Sequence, residues 1–219
     1  MGQRHGFDHF RPTCELLESR ENPANLIWSE HSFDDTPPGS LPAEWRQWNS
    51  RGTGQFEVSA AVAWDGRQSL SSQNSMPQAS RAWINQVFPA DFGIAANFFL
   101  NSPQPIHLFA RGSNVDGFLP TYYAVSLTRG LRLELLRVVN GHARTLAVVQ
   151  ANVDLNNSWV RVALKPVGSQ IAVQLLRHDT GQFLNARGSW QSAETDAILV
   201  EDHAIPGGGF LGIHRPDRN

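Results

Sequence analysis

His107, Phe109 and Arg111 occupy alternate positions in the stretch PQPIHLFARG, residues 103–112. Successive side chains of an extended chain point to opposite faces. These three therefore share one face, and Ile106, Leu108 and Ala110 share the other. An imidazole, a phenyl ring and a guanidinium side by side offer stacking and forked hydrogen bonding, which is the chemistry of recognition. Trp83, Asn97 and Tyr122 fall on comparable faces of other extended stretches, and Trp190 lies in the Gly/Asn/Ser-rich segment GQFLNARGSWQS. Arg111, Tyr122, Trp83 and Asn97 are the leading ligand-binding candidates, with His107 and Trp190 behind them. The competing reading is structural. Strand tryptophans are usually packed, loops could turn the face into a second minor core, and Arg111 could pair with Asp116 or Glu134.

The elements that must position these residues read as strands. From Asn25 onward, short apolar runs are punctuated by turn signals: Asp65–Gly66, Asn140–Gly141, and the single glycines Gly130, Gly168 and Gly181. Asn140–Gly141 separates Leu131–Val139 from Ala143–Val149 and predicts the most secure hairpin. Many short strands at this spacing imply a two-sheet sandwich or barrel. Each strand has one apolar face: Leu131, Leu133 and Leu135; Val160, Val162 and Leu164; Ile171, Val173 and Leu175. The opposite faces are of two kinds, one charged (Arg132, Glu134, Arg161, Lys165) and one aromatic and amide-rich (Trp83, Asn85, Asn97, Phe99, His107, Phe109, Arg111, Tyr122). This predicts one bland and one decorated outer sheet.

Composition narrows the classes of function. The chain has 219 residues, enough for one substantial domain, with 17% charged residues and a net charge of −2. That charge gives no basic field for nucleic acid. A single cysteine, Cys14, excludes an internal disulfide and a cysteine metal cluster. No apolar run is long enough to span a membrane, and the amino terminus lacks the apolar stretch of an ordinary secretory signal. Residues 1–25 are polar and charged (Arg4, Asp8, Arg11, Glu15, Glu18, Arg20, Glu21), and read as a flexible arm. Residues 26–214 read as the sandwich and 215–219 as a tail.

The segments FDDTPPGSLPAEWRQW, FEVSAAVAWDGRQSL, YYAVSLTRGLRLELLRVVNG, SWVRVALK and GGGFLGIHR, in that order, resemble the concanavalin A-like lectin/glucanase jelly roll, most nearly its laminin-G-like form. The resemblance covers about residues 26–214 and implies an all-β, two-sheet antiparallel jelly-roll sandwich. Such domains usually close with a further strand after the GxxGL segment, whereas this chain stops at HRPDRN. Either that closing strand is missing, or the domain closes differently, or the reading frame is truncated. RPTCELLESRENPA is similar to a short amino-terminal segment of exported planctomycete-type proteins, which implies an extracellular or cell-surface location.

Glucanases of this fold carry an E-x-D-x-E strand that sets acid and nucleophile on one face. Nothing here matches: ELLESRE is spaced by three within the arm, and Glu201 and Asp202 are adjacent, so they point apart. No H-E-x-x-H run supports zinc. The fold resemblance implies a structural Ca2+ as an option, with Asp34 and Asp35 of FDDTPPG as ligands; the alternative is that they cap a Pro-Pro-Gly turn. The expected function is a non-catalytic glycan- or polysaccharide-binding or adhesive module of an exported bacterial protein. Its partner would be a glycan, a cell-surface polysaccharide or a cell-surface protein, without nucleic acid or a membrane span. A structural or protein-interaction module is the alternative, and a glycoside hydrolase or lyase of the same fold ranks below both.

Overall fold

The computed structural model describes residues 33–51, 56–72, 78–130, 132–151 and 153–217. The expected arm, and the first expected strand around Trp28, lie outside the described residues. Among the described residues the chain forms strands β1 (Trp45–Asn49), β2 (Phe56–Ser59), β3 (Ser69–Ser72), β4 (Ser80–Ile84), β5 (Ile94–Leu100), β6 (Ile106–Ser113), β7 (Thr121–Leu127), β8 (Arg132–Val139), β9 (His142–Gln150), β10 (Ser158–Val167), β11 (Gln170–Arg177), β12 (Gln182–Leu184), β13 (Trp190–Gln191), β14 (Ile198–Glu201) and β15 (Phe210–Arg215). No helix appears among them.

Two antiparallel sheets carry the fold. The seven-stranded sheet runs β1-β4-β15-β6-β7-β8-β9; the other runs β13-β12-β11-β10-β5, with β14 also on β11, and β2–β3 pair as a separate hairpin. The apolar faces read from sequence meet between the sheets. Leu108, Val125, Leu133 and Leu135 of the first pack in one cluster with Val160, Val162, Leu164, Ile171 and Val173 of the second. The β8–β9 hairpin turns through Asn140 and Gly141, with φ of 48° and 78°, as an Asn-Gly type I′ turn requires.

Three points read from the sequence are refined. The segment GGGFLGIHR, after which a missing closing strand is one of three options, forms β15, the last strand among the described residues, and it is paired on both sides, by β4 and β6. It lies mid-sheet, so that segment exposes no backbone edge. The decorated and charged outer faces do not sort by sheet. His107, Phe109, Tyr122 and Trp83 share the seven-stranded sheet with Arg132 and Glu134, while Asn97 and Phe99 share the other with Arg161 and Lys165. The reason is topological. Phe99 of β5 pairs with Trp159 of β10, sixty residues away, so sequence neighbourhood does not set sheet neighbourhood.

The third correction is local. Arg111 does not share a face with His107 and Phe109. Its φ is 53°, a left-handed conformation costing about 1–2 kcal/mol for a residue with a Cβ. The β6–β7 register shifts between Ala110 and Ser113. This bulge turns Arg111 toward the end of the inter-sheet core, beside the Tyr123 ring.

Candidate functional site

Strand register places one polar row across the outer face of the seven-stranded sheet. Trp48 on β1 pairs with Arg81 on β4, Arg81 with His214 on β15, His214 with His107 on β6, His107 with Ser126 on β7, and Ser126 with Glu134 on β8. The neighbouring row runs Trp83, Gly212, Phe109, Ala124 and Leu136. Glycine at 212 keeps this row compact: a Cβ there would sit 2.2 Å from the Ala82 carbonyl oxygen and 2.8 Å from the Phe109 ring. Above the gap Trp83, Phe109, Val115, Tyr122, Ala124 and Val138 form a second apolar cluster, flanked by Trp48 and Phe210. Val115 comes from the β6–β7 turn, which folds back over the face.

The polar row is partly sunk in this cluster, and burial sets its electrostatics. Tyr122 stacks on Phe109 with ring centroids 5.0 Å apart, and its hydroxyl shares a 2.8 Å hydrogen bond with Nδ1 of His214. Burial pushes the Tyr122 phenol up to about 12. His107 lies edge-on to His214 at 5.2 Å, and burial lowers it to about 4. His214 is also held well below its ordinary value, by burial first and then by His107 and Arg81. Both imidazoles are therefore neutral at pH 7.

Arg81 is 2% exposed. Its guanidinium lies 4.1 Å from the Trp48 ring centroid and donates from Nη2 to the Gly117 carbonyl. Its Nε and Nη1, and Nδ1 of His107, are buried without a partner. Phe118 of the β6–β7 turn meets Trp48 edge-to-face at 5.0 Å. Phe118 and Leu119 are 71% and 61% exposed, so an apolar rim stands beside buried donors. Glu134, the carboxylate at the end of the row, is ion-paired with Arg132.

The six residues expected to bind ligand are not brought together. Trp83, Tyr122 and His107 lie on this face. Asn97 is on the outer face of the six-stranded sheet, where its Oδ1 is 2.8 Å from Nε2 of His178. There Trp64 stacks on His178 at 3.8 Å, and Trp159 lies between Trp64 and Phe99. Trp190 pairs within the short strand β13 and packs on the inter-sheet core, with the Arg177 guanidinium 5.1 Å from its ring. Arg111 donates from Nε, Nη1 and Nη2 to the carbonyls of Ala90, Ile205 and Gly168, each at 2.8 Å. It staples three loops. Trp48, Arg81, Ser126, His214 and Phe118 escaped the sequence reading, although Arg81 is two residues before Trp83 and so shares its face.

Of the two expected calcium ligands, Asp34 has other work. Oδ1 of Asp34 accepts the backbone N–H groups of Arg67 and Gln68, at 2.8 and 3.0 Å. The carbonyls of Phe33, Asp34 and Thr36 all accept from Nε2 of Gln68, so an amide nitrogen stands where a cation would need these oxygens. No group of three or more His, Cys, Asp or Glu side chains among the described residues could hold a metal. Oδ1 of Asp34 and these carbonyls are thus engaged within the turn, the arrangement expected of the capping alternative.

A cleft of about 530 Å³ runs between the β2–β3 hairpin and β5, lined by core side chains including Phe56, Leu70, Ile94 and Leu108. Phe33, Trp64, Asn97, Phe99 and Trp159 also line it.

No family model matches the sequence, and no curated protein matches it. Solved structures do. The exoplasmic/lumenal domain of VIP36 in its Ca2+/Man-bound form is 12% identical, with 80% of this chain and 76% of that chain covered and a TM-score of 0.51. A Bacillus subtilis protein of unknown function with a galectin-like fold is 12% identical, with 79% and 83% covered and a TM-score of 0.52. A prokaryotic β-1,3-1,4-glucanase from a mouse hindgut metagenome is 10% identical, with 86% of each chain covered and a TM-score of 0.45. The fold is the concanavalin A-like jelly-roll sandwich.

Proposed function

We propose that this chain is a non-catalytic glycan- or polysaccharide-binding module, with its ligand on the outer face of the seven-stranded sheet. The observation that carries the reading is the row Trp48–Arg81–His214–His107–Ser126, with its unpartnered buried nitrogens at Arg81 and His107 and the exposed Phe118 at its edge. Sugars present apolar C–H faces ringed by hydroxyls. An aromatic rim beside polar groups held on a rigid sheet complements both once the covering β6–β7 turn gives way. A fold shared with a domain whose structure holds mannose suits this class of ligand. The row's carboxylate, Glu134, is ion-paired with Arg132, and the sequence holds no E-x-D-x-E run, which favours binding over hydrolysis.

Residues 26–214 would form the binding domain and residues 1–25 an arm. The working location is extracellular or at the cell surface, with a surface glycan as partner; no helix of the described residues is long and apolar enough to cross a membrane. The alternative, a protein-interaction module, is favoured by the apolar tip Phe118–Leu119, because exposed aromatic anchors also serve protein contacts. Retention of the purified protein on immobilised polysaccharides separates the two. Selective retention, weakened at least tenfold by Phe118→Ala or Trp48→Ala and unchanged by Trp64→Ala, supports glycan binding on this face. Absence of retention by folded protein, with capture of a surface protein instead, overturns it.

A further inference from the structure

The row has more capacity for charge than a neutral sugar uses. Arg81 is fully charged chemistry placed at 2% exposure. Among the described residues no carboxylate forms an ion pair with it, although the charge of Asp116 in the β6–β7 turn acts on it from further off; its hydrogen-bond acceptor is the Gly117 carbonyl and its stacking partner is Trp48. Nε and Nη1 remain without acceptors. A buried guanidinium in that state bears a desolvation cost that its protein contacts only partly offset. Two strands away on the same row, Nδ1 of His107 is also buried without a partner. Strand spacing sets these two side chains about 10 Å apart at their Cα atoms, a distance that one charged group and a hydroxyl of a neighbouring sugar can bridge. His214 between them already has Tyr122 as partner.

We infer that the ligand is an acidic glycan whose carboxylate or sulfate group pairs with the Arg81 guanidinium while a hydroxyl or acetamido group meets His107. The inference rests on the glycan-binding reading above and adds the class of sugar. Guanidinium donors meet such oxyanions in charge-assisted hydrogen bonds, stronger than those to a neutral hydroxyl. The β6–β7 turn covers these atoms, with the Gly117 carbonyl on Arg81 and Phe118 and Leu119 exposed at its tip, so the ligand reaches them only when that turn lifts. The protein's net charge of −2 works against nonspecific attraction to polyanions, so retention by one points to a local site.

The test is affinity electrophoresis of the full chain in gels containing polygalacturonate, its methyl-esterified form, dextran sulfate, dextran, or a neutral panel of mannan and β-glucan. The expected result is retardation by polygalacturonate or by dextran sulfate at least tenfold stronger than by the corresponding neutral form. Whichever acidic gel retards the protein identifies the group as carboxylate or sulfate. Arg81→Gln should abolish the difference between acidic and neutral forms, and Arg187→Ala, an exposed loop arginine, should leave it intact. Arg81→Lys, which keeps the charge and the stem but not the fork, should retain part of the preference; it serves if Arg81→Gln does not fold by circular dichroism. Equal retardation by acidic and neutral forms, or an acidic preference unaffected by either Arg81 variant, overturns the acidic ligand and leaves glycan binding standing. Retardation by none of the gels overturns both.

Discussion

Arg111→Met separates a structural arginine from a ligand contact. Methionine keeps most of the aliphatic stem and removes the guanidinium. Three hydrogen bonds go with it, to the carbonyls of Ala90, Ile205 and Gly168 at 2.8 Å each, together with the 3.5 Å ion contact to Asp91. Asp91 is 60% exposed on its side chain, so the ion contact adds little. Hydrogen bonds to a charged group contribute about 1.5–3 kcal/mol each, and losses in one network do not add fully. The substitution also relieves the burial of a charge, but it leaves the left-handed backbone at residue 111 in place. The expected net loss is about 4 kcal/mol, equivalent to a fall in Tm of roughly 8–16 °C for a domain of this size. Urea and thermal unfolding by circular dichroism measure it, and glycan retention measured below the transition should equal that of the wild type. A Tm within about 2 °C of wild type, with retention lost, would refute the reasoning and restore Arg111 to the binding site.

Other expected outcomes follow from the same contacts. Gly212→Ala drives a methyl group into the Ala82 carbonyl and the Phe109 ring, and should cost about 3 kcal/mol by overpacking, read as a fall in Tm; an unchanged Tm contradicts the close approach. His107 has a folded pKa of about 4 against an ordinary 6.5. The unfolded chain therefore takes up a proton that the folded chain refuses. Stability is full above pH 6.5, falls as pH drops through the window to 4, and levels below it. A shift of this size amounts to roughly 3 kcal/mol. His107→Gln should shallow that slope in urea titrations from pH 7 to 4 without abolishing it, since His214 is shifted the same way. Asp34→Ala should destabilise by about 1–2 kcal/mol through loss of two N–H acceptors in the turn at Arg67 and Gln68. A chelator should leave the wild-type Tm unchanged, and a chelator-induced fall would restore a metal role to that turn.

Much of the sandwich is legible in the residues. Period-two patterning places Val160, Val162 and Leu164 inward, and the Asn140–Gly141 pair marks its hairpin, because both signals are local. The pairing of β15 between β4 and β6 is not local, so nothing in FLGIHR announces that His214 will stand between Arg81 and His107. Half of the candidate site is hidden for that reason. Arg111 misleads for a different one: its type and position suit a recognition face, and a single positive φ sends it to the other side of the strand. Arg81 was accessible to the same alternation that selected Trp83. It is passed over because a charged residue at a strand end is ordinarily solvated, and the β6–β7 turn that buries it lies more than thirty residues away.

The most direct measurement of the central claim is a ¹H–¹⁵N spectrum of the tryptophan indoles during titration with a retained polysaccharide fragment, assigned by single Trp→Phe variants. Ligand on the outer face of the seven-stranded sheet should move the Trp48 and Trp83 indole signals and leave those of Trp64 and Trp159, on the opposite sheet, in place. Movement of Trp64 and Trp159 with Trp48 and Trp83 unmoved would contradict the account and put the site on the other sheet.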